Sequence, residues 1–181
     1  MAAPAWLIFA YKVPSEPSSR RVLVWRRLRR LAALPLHDGA YLLPRTPRTL
    51  EQLQWLQAEV EELGGEASLW EASPVPPGRS ARFAELFNRQ FEAGYTRVAA
   101  TAEGVRARLQ SPGGPHPDTL LACERDYQAA SREYLALRSL DHLGSAAGAA
   151  ARGALEAVST ALRDAVERPQ GPMEPGGEGS R

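Results

Sequence analysis

The sequence contains very little of the chemistry on which enzymes and metalloproteins depend. It has one cysteine, Cys123, among 181 residues, which excludes an internal disulfide and a cysteine-based zinc cluster and fits a reducing compartment. Its three histidines, His37, His116 and His142, are far apart, and none has a partner at metal-ligand spacing. No glycine-rich phosphate loop, Gly-x-Ser-x-Gly elbow or HExxH motif occurs. We therefore expect a protein that is not an enzyme and that needs no metal or other cofactor.

Long hydrophobic runs are also missing. The apolar stretch near the N-terminus ends at Val13, and it is too short for a membrane span and lacks the basic flank of a signal peptide. We expect a cytoplasmic protein without a membrane partner. The length and the 44% hydrophobic content suffice for one core, or for a small domain with a helical extension.

Lysine is almost absent, because Lys12 is the only lysine among 22 basic residues. The net charge of +1 hides a strong local polarity. Residues 1–48 carry nine basic and two acidic side chains, whereas residues 49–72 carry six glutamates and no basic residue. The basic character is therefore local, which favours an anionic partner, a docking face for an acidic neighbour or a solvated surface.

Six arginines fall in one short helical segment that begins near Ser18 or Ser19 and should run to about Leu34. Like charges three and four residues apart destabilise an isolated helix, so this clustering favours a bound anion that neutralises the arginines. Guanidinium groups suit both phosphate backbones and small oxyanions. On the other side of the helix an apolar stripe is predicted to be buried, and it includes Trp25. The stripe consists of Val24, Trp25, Leu28, Leu31 and Ala32.

The first half of the chain alternates short strand and helix patterns. A strand over Ala5 to Val13 precedes the arginine helix, and Asp38-Gly39 predicts a tight hairpin in which both turn residues have positive φ. A glutamate-rich helix from Thr49 to Gly64 and a last strand over Glu66 to Ser73 follow. The hairpin strands are Leu34 to His37 and Ala40 to Leu43. The order βαββαβ predicts a ferredoxin-like domain over residues 5–73 in an α+β protein.

The second half has the pattern of long helices. After a proline-rich hinge we predict an α-helical extension over residues 79–168, in which the first two helices form an antiparallel hairpin. The predicted helices are Ser80 to Gln110, Pro117 to Leu140 and Ser145 to Arg168. Residues 169–181 are rich in proline and glycine, and we predict a disordered tail there.

Two segments carry a resemblance to a known family. The stretch VWRRLRRL followed by HDGAYLLP, and the later FNRQFEAGY, resemble the N-terminal domain of the ChrB family of chromate-resistance proteins. The resemblance covers nearly all of residues 5–165, and it implies a transcription regulator that responds to chromate. Full-length members also have a C-terminal chromate-resistance domain without a counterpart here. The resemblance thus implies one of two things. Either the chain is a stand-alone N-terminal half that works with a separately encoded partner, or it is a diverged protein that kept the fold and changed its function.

The first half is similar, more distantly, to the central domain of PaaX-type repressors and to the ferredoxin-like nucleases of CRISPR spacer acquisition. Those nucleases have an acidic residue at the end of strand one. Here that position reads Tyr11, Lys12 and Val13, with no carboxylate to hold a metal. The similarity implies the fold without hydrolysis.

We predict a non-enzymatic regulator whose basic helix binds DNA phosphates or an oxyanion such as chromate. The predicted binding residues are Arg20, Arg21, Arg26, Arg27 and Arg30, with Arg45 and Arg48 in the following loop as secondary candidates. One alternative is a protein-interaction module that partners a separately encoded chromate-resistance domain. A homodimer is also expected. The glutamates of the second helix either face solvent or meet the arginines of another copy. A third alternative is a reductase that uses His37, His142 and Cys123.

Overall fold

The computed structural model describes residues 5–76, 78–111 and 115–167. Nine elements follow one another in these residues: β1 (Trp6–Lys12), α1 (Ser19–Arg30), β2 (Leu34–His37), β3 (Ala40–Pro44), α2 (Pro47–Glu62), β4 (Glu66–Ala72), α3 (Arg79–Leu109), α4 (Pro117–Arg138) and α5 (Ala146–Glu167). The α+β class with a helical extension is confirmed. Parts of the predicted hinge and helical turn, Pro77 and residues 112–114, lie outside the described residues, as does the predicted tail.

The four strands form one antiparallel sheet in the order β2-β3-β1-β4. β1 therefore lies in the interior of the sheet, between β3 and β4, with Phe9 opposite Tyr41 on one side and Leu69 on the other. This order is the one that the βαββαβ arrangement produces, since each helix crosses over one strand before the chain returns.

Helices cover both faces of the sheet. On one face, the α1–α2 cluster is built from the buried side chains Leu7 and Phe9 of β1, Val24 and Leu28 of α1, and further leucines and valines of β3 and α2. On the other face, the α3–α5 cluster joins Trp6 and Leu42 of the sheet to Phe87 and Phe91 of α3 and to apolar residues of α4 and α5. Successive strand residues point to opposite faces, which explains why Trp6 and Leu7 belong to different clusters.

Polar contacts also tie the helical part to the sheet. The Trp6 indole donates a hydrogen bond to Ser80 Oγ at 2.9 Å, and the Gln90 amide donates to the Ala32 carbonyl at 3.2 Å. One cluster of buried side chains thus crosses the predicted boundary between residues 73 and 79. The division into two domains stays a prediction.

The helical extension packs through small residues. A Cβ at Gly94 of α3 would lie 2.8 Å from Leu137 Cδ1 of α4, so a larger residue at this position would force the Leu137 side chain to move. Salt bridges from Arg97 to Glu133 and from Arg108 to Asp126 join the same two helices in antiparallel order. The predicted helical hairpin is confirmed by these pairs.

Two local expectations were wrong. Helix α1 ends at Arg30 rather than near Leu34, because Ala32 adopts a positive φ of 56° and the Ala33 amide bonds back to the Leu28 carbonyl, which closes the helix one turn early. The tight hairpin at Asp38-Gly39 is present, since His37 pairs with Ala40 across it, but only Gly39 has positive φ, and the register of β2 shifts between Pro35 and His37.

Candidate anion-binding surface

Helix α1 lies on the sheet with most of its surface exposed. Of its 12 residues only Val24 and Leu28 are buried, because these two, four residues apart, face the sheet and α2. The prediction that Trp25 is buried was wrong: it lies one residue beyond Val24, to the side of the contact, and 45% of it is exposed. Val22 and Leu23 are also exposed. The outer side of α1 is therefore basic with apolar residues between the arginines.

The predicted arginines do not form one set. Arg21, Arg26 and Arg30 are exposed and Arg20 is half-buried, and none of the four has an ion pair with another described residue. Arg27, by contrast, pairs with Glu59 of α2, with 3.3 Å between Nε and Oε2. Four of the five predicted helical arginines therefore have no ion pair among the described residues, and we call these four the acid-free arginines of α1.

The two loop arginines have other roles. Arg45 pairs with Glu71 of β4, with 2.6 Å between Nε and Oε1. Arg48 is exposed at the start of α2, where its charge acts on His142. The imidazole of His142 stacks on Phe87, and its pKa is lowered first by burial and then by the charge of Arg48. Neither loop arginine is placed with the acid-free arginines of α1.

A groove of about 1120 Å³ opens beside the N-terminal half of α1. Its walls come from four places in the chain: α1, the end of β1, the hairpin between β2 and β3, and the loop between α2 and β4. The side chains that give it chemical character are Lys12, Arg21, Trp25, His37 and the two tyrosines Tyr11 and Tyr41, with Asp38 and Glu66 also in the lining.

The tyrosines form one wall of this groove. The rings of Tyr11 and Tyr41 stack with their centroids 6.1 Å apart. Burial, followed by the neighbouring Tyr41, raises the pKa of Tyr11 to about 12, and the positive charge of Arg21 acts in the opposite direction. The Tyr11 phenol therefore stays protonated at neutral pH, close to a guanidinium group. Such a cluster of hydrogen-bond donors suits an oxyanion.

Two glycines hold the loops against the end of β1. A Cβ at Gly39 would lie 2.6 Å from the Tyr11 carbonyl oxygen, and one at Gly65 would lie 2.5 Å from the Lys12 carbonyl oxygen. The Tyr11 amide also donates to the Gly39 carbonyl at 2.8 Å. The base of the groove is thus fixed by backbone contacts.

Sequence reasoning found Arg21 but not the groove. The alternation in β1 places Leu7, Phe9 and Tyr11 on one face, and Tyr11 could have been placed under α1 from that pattern. Its neighbours Tyr41 and His37 come from another strand pair, and their approach depends on the tertiary fold.

Comparison with known proteins places the chain in a family. The family described as "Protein ChrB, N-terminal" matches residues 21–170, most of the chain. This chain belongs to the ChrB N-terminal family. A ChrB protein from Cupriavidus metallidurans (strain ATCC 43123 / DSM 2839 / NBRC 102507 / CH34) is 32% identical over 88 residues, which are 49% of this chain and 27% of that protein. The alignment thus spans about a quarter of the relative. No solved structure matches the chain significantly.

The ChrB match takes in most of the candidate surface. It begins at Arg21 and covers α1, the hairpin and all later helices, so all predicted arginines except Arg20 lie within it. The groove residues of β1, Tyr11 and Lys12, precede it. No helix among the described residues has the length and hydropathy to cross a membrane.

The residues of the reductase alternative are separated in this ChrB-family structure. Cys123 is fully buried in the α3–α5 cluster, His142 stacks on Phe87, and His37 lines the groove. Within residues 5–76, 78–111 and 115–167, no three His, Cys, Asp or Glu side chains are grouped to hold a metal. The structure therefore gives that alternative no assembled site to support it.

Asp141 is the acceptor of a hydrogen-bond cluster in the turn before α5. Its carboxylate is buried and accepts hydrogen bonds from the Gly144 and Ser145 amides and the Ser145 hydroxyl, each at 2.9 Å, and from the Tyr95 hydroxyl at 3.2 Å. These bonds fix the turn before α5 and attach it to α3.

Proposed function

We propose that this chain is a ChrB-type regulatory protein of chromate resistance, non-enzymatic, that binds DNA phosphates through the basic outer side of α1. The observation that carries the proposal is the exposure of Arg26 and Arg30, beside Arg20 and Arg21, without an acidic partner among the described residues. Like-charged side chains on one helix repel each other, and a bound polyanion relieves that repulsion.

The spread of these cations favours a phosphate backbone over a single small anion. Arg26 and Arg30 are one helical turn apart on the outer side of α1, whereas Arg21 lines the groove. A helix that presents cations over several turns can contact successive phosphates. An oxyanion such as chromate would need only one convergent cluster, and the phenols and guanidinium beside the groove supply one.

The test is fluorescence anisotropy of labelled DNA from the protein's own upstream region, titrated at several salt concentrations with and without chromate. Arg26→Glu combined with Arg30→Glu should weaken binding at least about tenfold and reduce the logarithmic salt slope by about two, because each phosphate contact contributes about 0.9. Release of DNA by chromate would support the regulatory role.

The matched control is Arg82→Glu combined with Arg106→Glu on α3. These arginines are also exposed, and the control changes the net charge equally. It should weaken binding only slightly. Equal losses in both double variants would contradict a specific role of α1, and absence of DNA binding by the unmodified chain would contradict the proposal as a whole.

A second candidate function rests on the apolar residues of the same helix. Val22 and Leu23 are 41% and 37% exposed between the arginines, and a phosphate-binding face has no need of them. They favour the interaction module that partners a separately encoded chromate-resistance domain. The test is calorimetric titration with the part of the C. metallidurans ChrB protein outside the aligned segment. Binding that Leu23→Asp abolishes, together with no affinity for DNA, would replace the first proposal.

A further inference from the structure

The groove beside α1 combines a flat aromatic surface with a cationic, donor-rich end. We infer that it binds a nucleotide, with the base stacked on Trp25 and a single phosphate group held by Arg21 and the tyrosine hydroxyls. This site goes beyond the proposed DNA contact, since the outer arginines Arg26 and Arg30 do not line the groove.

Trp25 is prepared for stacking. Its ring lines the groove and is 45% exposed, and the guanidinium carbon of Arg29 lies 5.3 Å from the ring centroid. A cation over an indole ring stabilises the position of the ring. One face of the ring thus has a partner within the helix, and a planar base can stack on the other. Stacking of a base on an aromatic side chain contributes about 1–3 kcal/mol.

The phosphate end is limited to one anionic group. Lys12 lies opposite Glu66 in the β1–β4 register, and neither Lys12 nor Arg21 has an ion pair among the described residues. The charge of Arg21 reaches the phenol of Tyr11. Asp38 and Glu66 also line the groove and would repel further negative charge. We therefore expect a nucleoside monophosphate to bind more tightly than the triphosphate.

The size and rigidity of the groove fit this ligand. Its volume of about 1120 Å³ is at the upper end of small-molecule sites and leaves room for a nucleotide with water. The Tyr11–Gly39 hydrogen bond and the contacts of Gly39 and Gly65 with β1 hold the floor of the groove in place without a ligand. A preformed site avoids much of the ordering cost of binding.

The test is isothermal titration of the full chain with AMP, adenosine, ATP and inorganic phosphate. Trp25→Ala should weaken the binding of AMP and adenosine by about fivefold to about 150-fold, the range that corresponds to a stacking contribution of about 1–3 kcal/mol. Arg21→Gln should weaken AMP at least about fivefold and leave adenosine unchanged. The controls are Trp70→Ala, which removes another exposed tryptophan, and Arg82→Gln; both should leave AMP binding unchanged.

Two further arms identify the source of the nucleotide. A four-residue single-stranded DNA that binds more tightly than AMP, with the same losses in Trp25→Ala and Arg21→Gln, would assign the groove to a nucleic acid strand. Binding of AMP without binding of this oligonucleotide would assign it to a free mononucleotide. Either result supports the site.

Three results would overturn it. These are no binding of AMP at millimolar concentration, equal effects of Trp25→Ala and Trp70→Ala, and inorganic phosphate that binds as tightly as AMP. Since Arg26→Glu with Arg30→Glu leaves the groove lining intact, loss of duplex binding in that variant with normal AMP affinity would separate the two proposals.

Discussion

Helices α1 and α3 use their residues in opposite ways. In α3 nine of 31 residues are buried, including Phe87, Phe91 and Tyr95, and the helix contacts the sheet, α4 and α5. In α1 two of 12 residues are buried, and a tryptophan, a leucine and a valine stay at the surface among the arginines. Burial of apolar area is the main source of folding stability. The contrast indicates that α3 holds the fold together, and it agrees with the proposal that α1 presents side chains to a partner.

The largest expected effect tests this contrast directly. Phe87→Ala in α3 should lower the free energy of unfolding by about 3–5 kcal/mol, because the side chain is fully buried and its removal leaves a cavity. Leu23→Ala in α1 should change it by no more than about 0.5 kcal/mol. Urea denaturation measures both. A similar loss in the two variants would show that α1 is part of the core and that its exposed residues are structural.

A smaller effect is expected where α3 holds the start of α5. Asp141→Asn replaces one carboxylate oxygen by an amide nitrogen, which donates but cannot accept hydrogen bonds, so the donors of Tyr95 and Ser145 that share Oδ2 lose their acceptor. The free energy of unfolding should fall by about 1–3 kcal/mol. Asp118→Asn, at an exposed position, is the control and should be nearly neutral. Full stability of the Asp141 variant would mean that packing alone positions the turn.

What the sequence predicts well is local. The bounds of the strands and of the long helices agree with the structure within a few residues, because periodic apolar residues and turn-forming Gly and Pro act over short distances. The strand order then follows from the order of elements.

Which side of α1 faces the sheet is not a local property. Val24 and Leu28, four residues apart, are the buried residues of α1, and the same periodicity is compatible with Trp25 on either side of them. Trp25 was assigned to the wrong side because the docking angle of α1 is set by the sheet. Arg27 and Arg45 meet acids 32 and 26 residues away in sequence. The groove likewise joins four separate segments. Such long-range contacts require the tertiary structure.

His142, which stacks on Phe87 of α3, should make the stability of the protein depend on pH. Since burial and the charges of Arg48 and Arg138 lower the pKa of His142, while Asp141 acts in the opposite direction, the folded state favours the neutral imidazole. The unfolded chain takes up the proton first as the pH falls below about 6.5. Stability should therefore decrease below that pH and level off beneath the folded pKa.

Thermal unfolding between pH 5 and pH 7.5 measures this decrease. His142→Phe keeps a ring against Phe87 and removes the titration, so its profile should be flatter over the same range. His116→Phe is the control at an exposed histidine, and its profile should follow that of the unmodified chain. A profile of His142→Phe as steep as that of the control would assign the acid sensitivity to another group.

The smallest effect is expected from breaking the ion pair between Arg27 of α1 and Glu59 of α2. Among the described residues, Arg27 is the one predicted helical arginine that pairs with an acid of α2, and the pair is partly exposed, with the Arg27 side chain 52% and the Glu59 side chain 29% accessible. Such pairs contribute no more than about 1 kcal/mol, so Glu59→Gln should leave stability nearly unchanged and free a fifth cation for DNA. The expected gain in DNA affinity is about twofold to threefold at low salt. Glu62→Gln, on the same helix and with the same change of charge, should give less. If anisotropy titrations gave equal gains for the two variants, the gain would come from net charge, and Arg27 would be no more than a structural partner of α2.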